Sequence, residues 1–273
     1  MLILPIVMTA LHAVTPALDQ TQLVDQSLQV SEVAQTELLA LSAAPATSQD
    51  EEEEVVLDQW TGVFTAGLTF TDGNTDRKTA SATVDLVKDY SNKDRATVGL
   101  FWNYAEEGSV RTQRRSGIRG QYDSSIDDNT YWYVNGGIDA DENAGLDLRY
   151  NAGVGLGHIF RDDDEWRFAG EAGLSYVNEE FDTGAENDYV AARLAYRANW
   201  HYSERLEIGQ FTEIFPSLDE SDDISGRMDT RATYKMTGDM LAQFQWVWDW
   251  DNTPAAGRDR SDNLFLLTVG WAF

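Results

Sequence analysis

From Trp60 to the carboxyl end, apolar and polar side chains alternate with a period of two, as on a strand whose successive side chains point to opposite faces. Residues 60–71 set the rule: Trp60, Gly62, Phe64, Ala66, Leu68 and Phe70 share one face, whereas Thr61, Val63, Thr65, Gly67, Thr69 and Thr71 share the other. The same pattern predicts strands at about 60–71, 79–90, 94–105, 114–123, 129–140, 146–160, 165–177, 188–202, 205–216, 224–236, 239–250 and 262–273. One face of these strands is apolar and rich in rings, as in Leu100, Trp102 and Tyr104, or Phe244, Trp246, Trp248 and Trp250. Rings in such numbers do not fit one sandwich core. A strand of ~9–11 residues with rings at each headgroup layer fits a bilayer instead.

The opposite faces are polar and charged. They bring forward Asp85, Arg95, Arg119, Asp123, Asp147, Arg149, Arg167, Glu171, Arg193, Arg197, Glu213, Arg227, Asp229 and Arg231 as candidates to line an interior. An Arg aimed at the hydrocarbon midplane costs ~2–4 kcal/mol, so the sidedness predicts an all-β fold, a single closed antiparallel transmembrane β-barrel of about twelve strands. Two uses of the interior stay open. The charges interlock as a plug that stiffens the barrel, or they line a narrow water-filled path for ions or small solutes. Short connections such as 203–204 and 237–238 alternate with longer ones such as 106–113, 178–187 and 251–261, which predicts short periplasmic turns, external loops and periplasmic termini.

Composition narrows the field further. The chain has 273 residues, no cysteine and a mean hydropathy of -0.42. It contains no apolar run of the ~18 residues that a spanning helix needs. Low hydropathy does not argue against barrel strands, which show only alternate residues to lipid. Residues 1–17 are expected to be a secretory signal truncated at its start, since the apolar stretch ends in small residues but lacks a preceding Lys or Arg. Residues 18–58 are expected to form an acidic periplasmic tail or linker, mostly unstructured or partly helical near 22–41, ahead of a barrel domain at 59–273. The net charge is -27, and ten acidic residues but no basic one lie between Ala17 and Gln59. Without clustered Lys and Arg, a nucleic-acid partner is not expected.

Sites for chemistry are few. Gly153, Gly155 and Gly157 superficially offer a phosphate loop, but they share one face of a strand with no helix behind them. They are expected to leave room for a bulky neighbour such as Arg149 or Arg167. The three histidines are His12, His158 and His201, and the last two fall beside short turns, away from the expected external end. Asp139 to Asn143 starts like a calcium loop, but Gly145 is one place late and Tyr150 stands where a bidentate Glu is needed. No catalytic, cofactor or metal residues are expected, and the protein is not expected to be an enzyme. The alternative reading is an outer-membrane hydrolase barrel.

The last strand, Asn263 to Phe273, resembles the closing strand of bacterial outer-membrane barrels: Phe265, Leu267, Val269, Trp271 and Phe273 form one apolar face with an aromatic carboxyl end. The other face carries Ala272, Gly270 and Thr268 before turning apolar at Leu266 and Leu264. That resemblance implies recognition by the barrel-assembly machinery. Residues 60–273 as a whole resemble the YdiY-like family of salt-induced outer-membrane proteins. The resemblance rests on Trp60 to Thr75 with its Gly-Asn-Thr turn, on Leu148 to Gly157 and on Ala172 to Val177. It implies an outer-membrane barrel and carries no catalytic set across. The partners expected are therefore outer-membrane lipid and the assembly machinery, with the chain a monomer.

Overall fold

The computed structural model describes residues 57–71, 76–220, 222–254 and 257–273. The signal segment, nearly all of the tail with its helix, and the Gly73-Asn74-Thr75 turn lie outside the described residues.

Twelve strands follow one another: β1 (Thr61–Thr71), β2 (Arg77–Asp89), β3 (Arg95–Glu107), β4 (Val110–Ser125), β5 (Thr130–Asp141), β6 (Leu146–Asp162), β7 (Trp166–Phe181), β8 (Glu186–Ser203), β9 (Leu206–Pro216), β10 (Ile224–Lys235), β11 (Met240–Asp251) and β12 (Ser261–Ala272). Each pairs antiparallel with its sequence neighbours, and β1 meets β12 to close the barrel. Closure disposes of the sheet edges that hydrocarbon does not tolerate. We call the end with both barrel termini the turn end and the opposite end the loop end.

Several strands run past their predicted limits. The loop expected at 106–113 is a hairpin in which Gly108 and Ser109 alone separate β3 from β4, with φ of 54° and 69°. Two successive left-handed residues match the twist of the flanking strands, so a tight turn replaces a loop. The expected loop at 178–187 likewise shrinks to the gap between Phe181 and Glu186. Polar residues there had suggested irregular chain, yet they continue the strands.

The outer wall is apolar between two sets of rings. Trp132, Phe160, Tyr202 and Trp271 stand exposed towards the turn end, and Phe70, Trp102, Tyr150 and Tyr176 towards the loop end. At the turn end Trp166 and Trp200 stack with centroids 5.4 Å apart. Phe265, Leu267, Val269, Trp271 and Phe273 all lie exposed on this wall, as the alternation along β12 requires. No described helix is long and apolar enough to cross a membrane. This is an outer-membrane type of β-barrel.

The turns are pinned by carboxylates. Asp94 accepts a hydrogen bond from the Tyr122 hydroxyl at 2.6 Å and another from the Ser125 amide at 2.9 Å. Those donors hold its carboxyl below the usual aspartate range. Asp127 is held low in the same way by the Asn129 and Thr130 amides, each 2.9 Å away.

Candidate functional site

The lumen is the candidate site, because the wall's polar face has nowhere else to point. Its charges fall into clusters that link strands far apart in sequence. Arg193 of β8 is 1% exposed and lies between Glu171 of β7 at 2.7 Å and Glu213 of β9 at 3.1 Å. Its guanidinium also sits 5.0 Å from the centroid of the Tyr133 ring. Glu171 accepts further bonds from Gln121 at 2.8 Å and from the Tyr131 hydroxyl at 2.9 Å.

Two straps cross the lumen. Arg231 of β10 bonds Asp229 at 2.9 Å and reaches Asp85 on β2 at 2.6 Å. Nearer the loop end Arg115 of β4 pairs with Asp249 of β11 in a short contact, and Arg227 approaches the same carboxylate at 3.5 Å. Arg149 pairs with Asp139 at 2.9 Å and with Glu179 at 3.6 Å. Asp139 therefore serves an ion pair, while Asp141 caps the turn through the Asn143 and Ala144 amides.

What remains open beside these straps is a cavity of about 570 Å³, lined mainly by polar and charged side chains with Phe101, Val177, Phe211 and Phe215 among them. Arg119 and Arg197 face it, lying 5.1 and 5.2 Å from the rings of Phe101 and Phe211. Neither has a carboxylate within 4.0 Å among the described residues.

The predicted lining residues fall into three groups. Asp85, Arg149, Glu171, Arg193, Glu213, Arg227, Asp229 and Arg231 form the clusters just described, and Arg119 and Arg197 face open space. At the turn end Arg95 pairs with Asp89 at 2.8 Å, Arg167 reaches Asp162 at 3.9 Å, and Asp123 accepts from Gln121 at 2.7 Å. Asp147 is the exception. The β6–β7 register slips between Leu146 and Leu148, which takes Asp147 out of the alternation and leaves it exposed at the rim.

Sequence reasoning also missed Arg115 and the two tyrosines. Arg115 shares the odd-numbered face of Arg119 and was recoverable from the alternation within the predicted strand 114–123. Tyr131 and Tyr133 were hidden by the expectation that rings face lipid. They supply the bulky neighbours expected beside the glycine run: a Cβ on Gly157 would strike Tyr131, and one on Gly155 or Gly173 would strike the Tyr133 hydroxyl, while one on Gly153 would strike Ser175 and Asn135. Gly155 and Gly157 make room for tyrosines, in place of the Arg149 or Arg167 expected there. The histidines stay near the turn end: His158 contacts the Thr130 hydroxyl at 3.2 Å, and His201 lies 3.9 Å from Glu207.

Residues 64–273 match the family described as "Protein of unknown function, DUF481". The chain belongs to the DUF481 family. This is the YdiY-like family that its sequence resembles. Among solved structures, the NanC porin is 12% identical over 77% of this chain and 98% of its own, with a TM-score of 0.48. An outer membrane channel from Pseudomonas putida F1 is 10% identical over 84% of this chain and 100% of its own, with a TM-score of 0.46. The KdgM porin, in complex with disordered oligogalacturonate, is 11% identical over 79% and 99%, with a TM-score of 0.41. These likenesses are too distant to transfer a solute. No curated protein matches the sequence.

Proposed function

We propose that the barrel is a narrow, water-filled pore for ions or small polar solutes, monomeric in the bacterial outer membrane with both barrel termini on the periplasmic side. The observation that carries this reading is the state of Arg119 and Arg197. A dry plug would bury two guanidinium charges without a direct ion pair, Arg197 having Glu171 and Asp123 only at longer range, at a cost of several kcal/mol each. Rings alone do not offset that cost. A hydrated lumen removes the difficulty, and the cavity of about 570 Å³ gives the water a place. The straps at Arg231–Asp85 and Arg115–Asp249 then narrow the path rather than fill it.

Planar-bilayer recordings test the proposal. The refolded chain is expected to give discrete conductance steps. Arg231→Gln, which opens one strap, should enlarge them, and Arg197→Gln should shift the anion-to-cation preference towards cations. Silence at high protein load would favour a plugged, structural envelope barrel. An epitope at the carboxyl end should be unreachable by antibody on intact cells and reachable after the outer membrane is permeabilised. Deleting Phe273 should slow assembly, in keeping with a terminal strand read by the assembly machinery.

A further inference from the structure

The wall is not equally closed all round. The β1–β12 register runs only from Val63↔Ala272 to Ala66↔Val269. By contrast, the β1–β2 register runs the whole of β1, from Thr61↔Val87 to Thr71↔Arg77, and the β11–β12 register runs from Met240↔Trp271 to Trp250↔Ser261. Gly62 and Phe273 exchange both backbone bonds at the turn end, at 2.7 and 2.9 Å. In an antiparallel ladder every second residue then points its amide and carbonyl across the same seam. Gly67 still packs against the Leu267 carbonyl and Thr268; beyond it, Leu68 and Phe70 on β1 and Leu267 and Phe265 on β12 face each other with no ladder between them.

Both sides of this opening are apolar. Outside, Leu68, Phe70 and Leu267 are the most exposed large hydrophobics of the two strands, at 69, 71 and 78%. Inside, Leu264 and Leu266 form an apolar patch of the lumen with Val247 and Phe101, around a gap of about 40 Å³ that Arg119 also lines. Three guanidinium groups, Arg119, Arg227 and Arg231, and two carboxylates, Asp85 and Asp229, line this gap. Arg231 takes both carboxylates, at 2.6 and 2.9 Å, and Arg227 approaches Asp249 at 3.5 Å. Arg119 is the cation left over.

We propose that the loop-end half of the β1–β12 seam is a lateral slot for a single-chain anionic amphiphile of the surrounding bilayer, its tail against Leu264 and Leu266 and its carboxylate at Arg119. Unpaired backbone at membrane depth is tolerated where it borders water. The slot therefore has a wet inner side and a hydrocarbon outer side, and an amphiphile has the same division. The inference rests on the outer wall facing lipid, not on conduction through the pore.

The chain's lack of cysteine allows a direct test. Leu266→Cys in phosphatidylcholine nanodiscs is treated with N-ethylmaleimide, with oleate as the probe and oleyl alcohol as the uncharged control. Oleate is expected to slow modification at least fivefold, oleyl alcohol is not, and Arg119→Gln should abolish the protection. Leu264→Cys gives the same readout should Leu266→Cys fail to assemble. Absence of protection, equal protection by the alcohol, persistence of protection in Arg119→Gln, or inertness of both cysteines without oleate would overturn the proposal. Phe265→Cys separates the two failures. Its modification by a lipid-soluble alkyl maleimide reports the outer wall in hydrocarbon, and a negative result there would sink the membrane reading itself.

Discussion

The barrel wall between β5 and β8 and the wall between β12 and β1 are built on opposite plans. On the first side β7 and β8 stay in register from Trp166↔Trp200 to Glu180↔Glu186, and the inner surface is interlocked: Tyr133 presses into the notch left by Gly155 and Gly173, and Arg193 lies across its ring. On the second side the ladder stops at Ala66↔Val269 and leucines line the lumen. Closure in register space does not require equal strength around the ring. A stiff half sets the barrel's shape, and the joint where the two chain ends meet is left able to part.

The largest test of this contrast attacks the stiff half. Gly155→Val would drive a branched side chain into the Tyr133 hydroxyl and the Ala172 carbonyl of the facing strand. Neither can yield easily, one being packed at 0% exposure and the other being backbone. The expected cost is about 3 kcal/mol or more, read as a lowered urea midpoint of the refolded barrel in micelles. The same substitution should be partly relieved by Tyr133→Ala. Failure of that rescue would break the claim that the glycines exist for the tyrosine.

Arg193→Met comes next. Removing the guanidinium leaves Glu171 and Glu213 side by side without their shared cation. Buried pairs broken this way lose ~3–5 kcal/mol. Lumen water reaches part of this cluster, so a loss of about 2 kcal/mol is expected by the same urea assay. Converting Glu171 and Glu213 to Gln together with Arg193→Met should recover most of it.

A smaller and sharper test compares the two halves of the seam. Val63→Cys with Ala272→Cys occupies a paired position. Thr69→Cys with Leu266→Cys occupies a position that would be equivalent were the ladder continued. Oxidation should cross-link the first pair at least tenfold faster than the second, seen as a shift on denaturing gels, since a disulfide demands Cβ atoms close to 3.8 Å apart. Equal rates would mean that the seam closes over its full height.

Much of this was legible in the alternation along the chain, and particular residues show why. Phe265, Leu267 and Val269 could be placed on the outer wall because period two leaves a strand only two faces, and lipid tolerates one of them. Leu264 and Leu266 were visible as apolar residues on the wrong face, yet nothing local says that the neighbouring strand ends its pairing there. Asp147 was misplaced because a register slip changes facing without changing composition. Tyr133 was missed because its meaning lies in Gly155 and Gly173, on two other strands. Partnerships across the barrel, such as Arg115 with Asp249, join residues 134 positions apart and leave no local trace.

The smallest effect expected concerns the turns that both halves share. Asp94 is held below the usual aspartate range, first by the Tyr122 hydroxyl and then by the Ser125 amide. A carboxyl whose folded pKa is depressed contributes stability that is full above its unfolded pKa and fades as the pH falls through the folded one. Asp94→Asn should therefore lower the urea midpoint at pH 7, where the carboxylate accepts both bonds, and the difference from the parent chain should shrink towards zero as the medium is acidified through and below the ordinary aspartate range. Tyr122→Phe should reproduce part of the loss at pH 7 and leave a shallower pH dependence. A difference between Asp94→Asn and the parent that stays constant with pH would show that the turn is held by shape and backbone bonds, not by the charge.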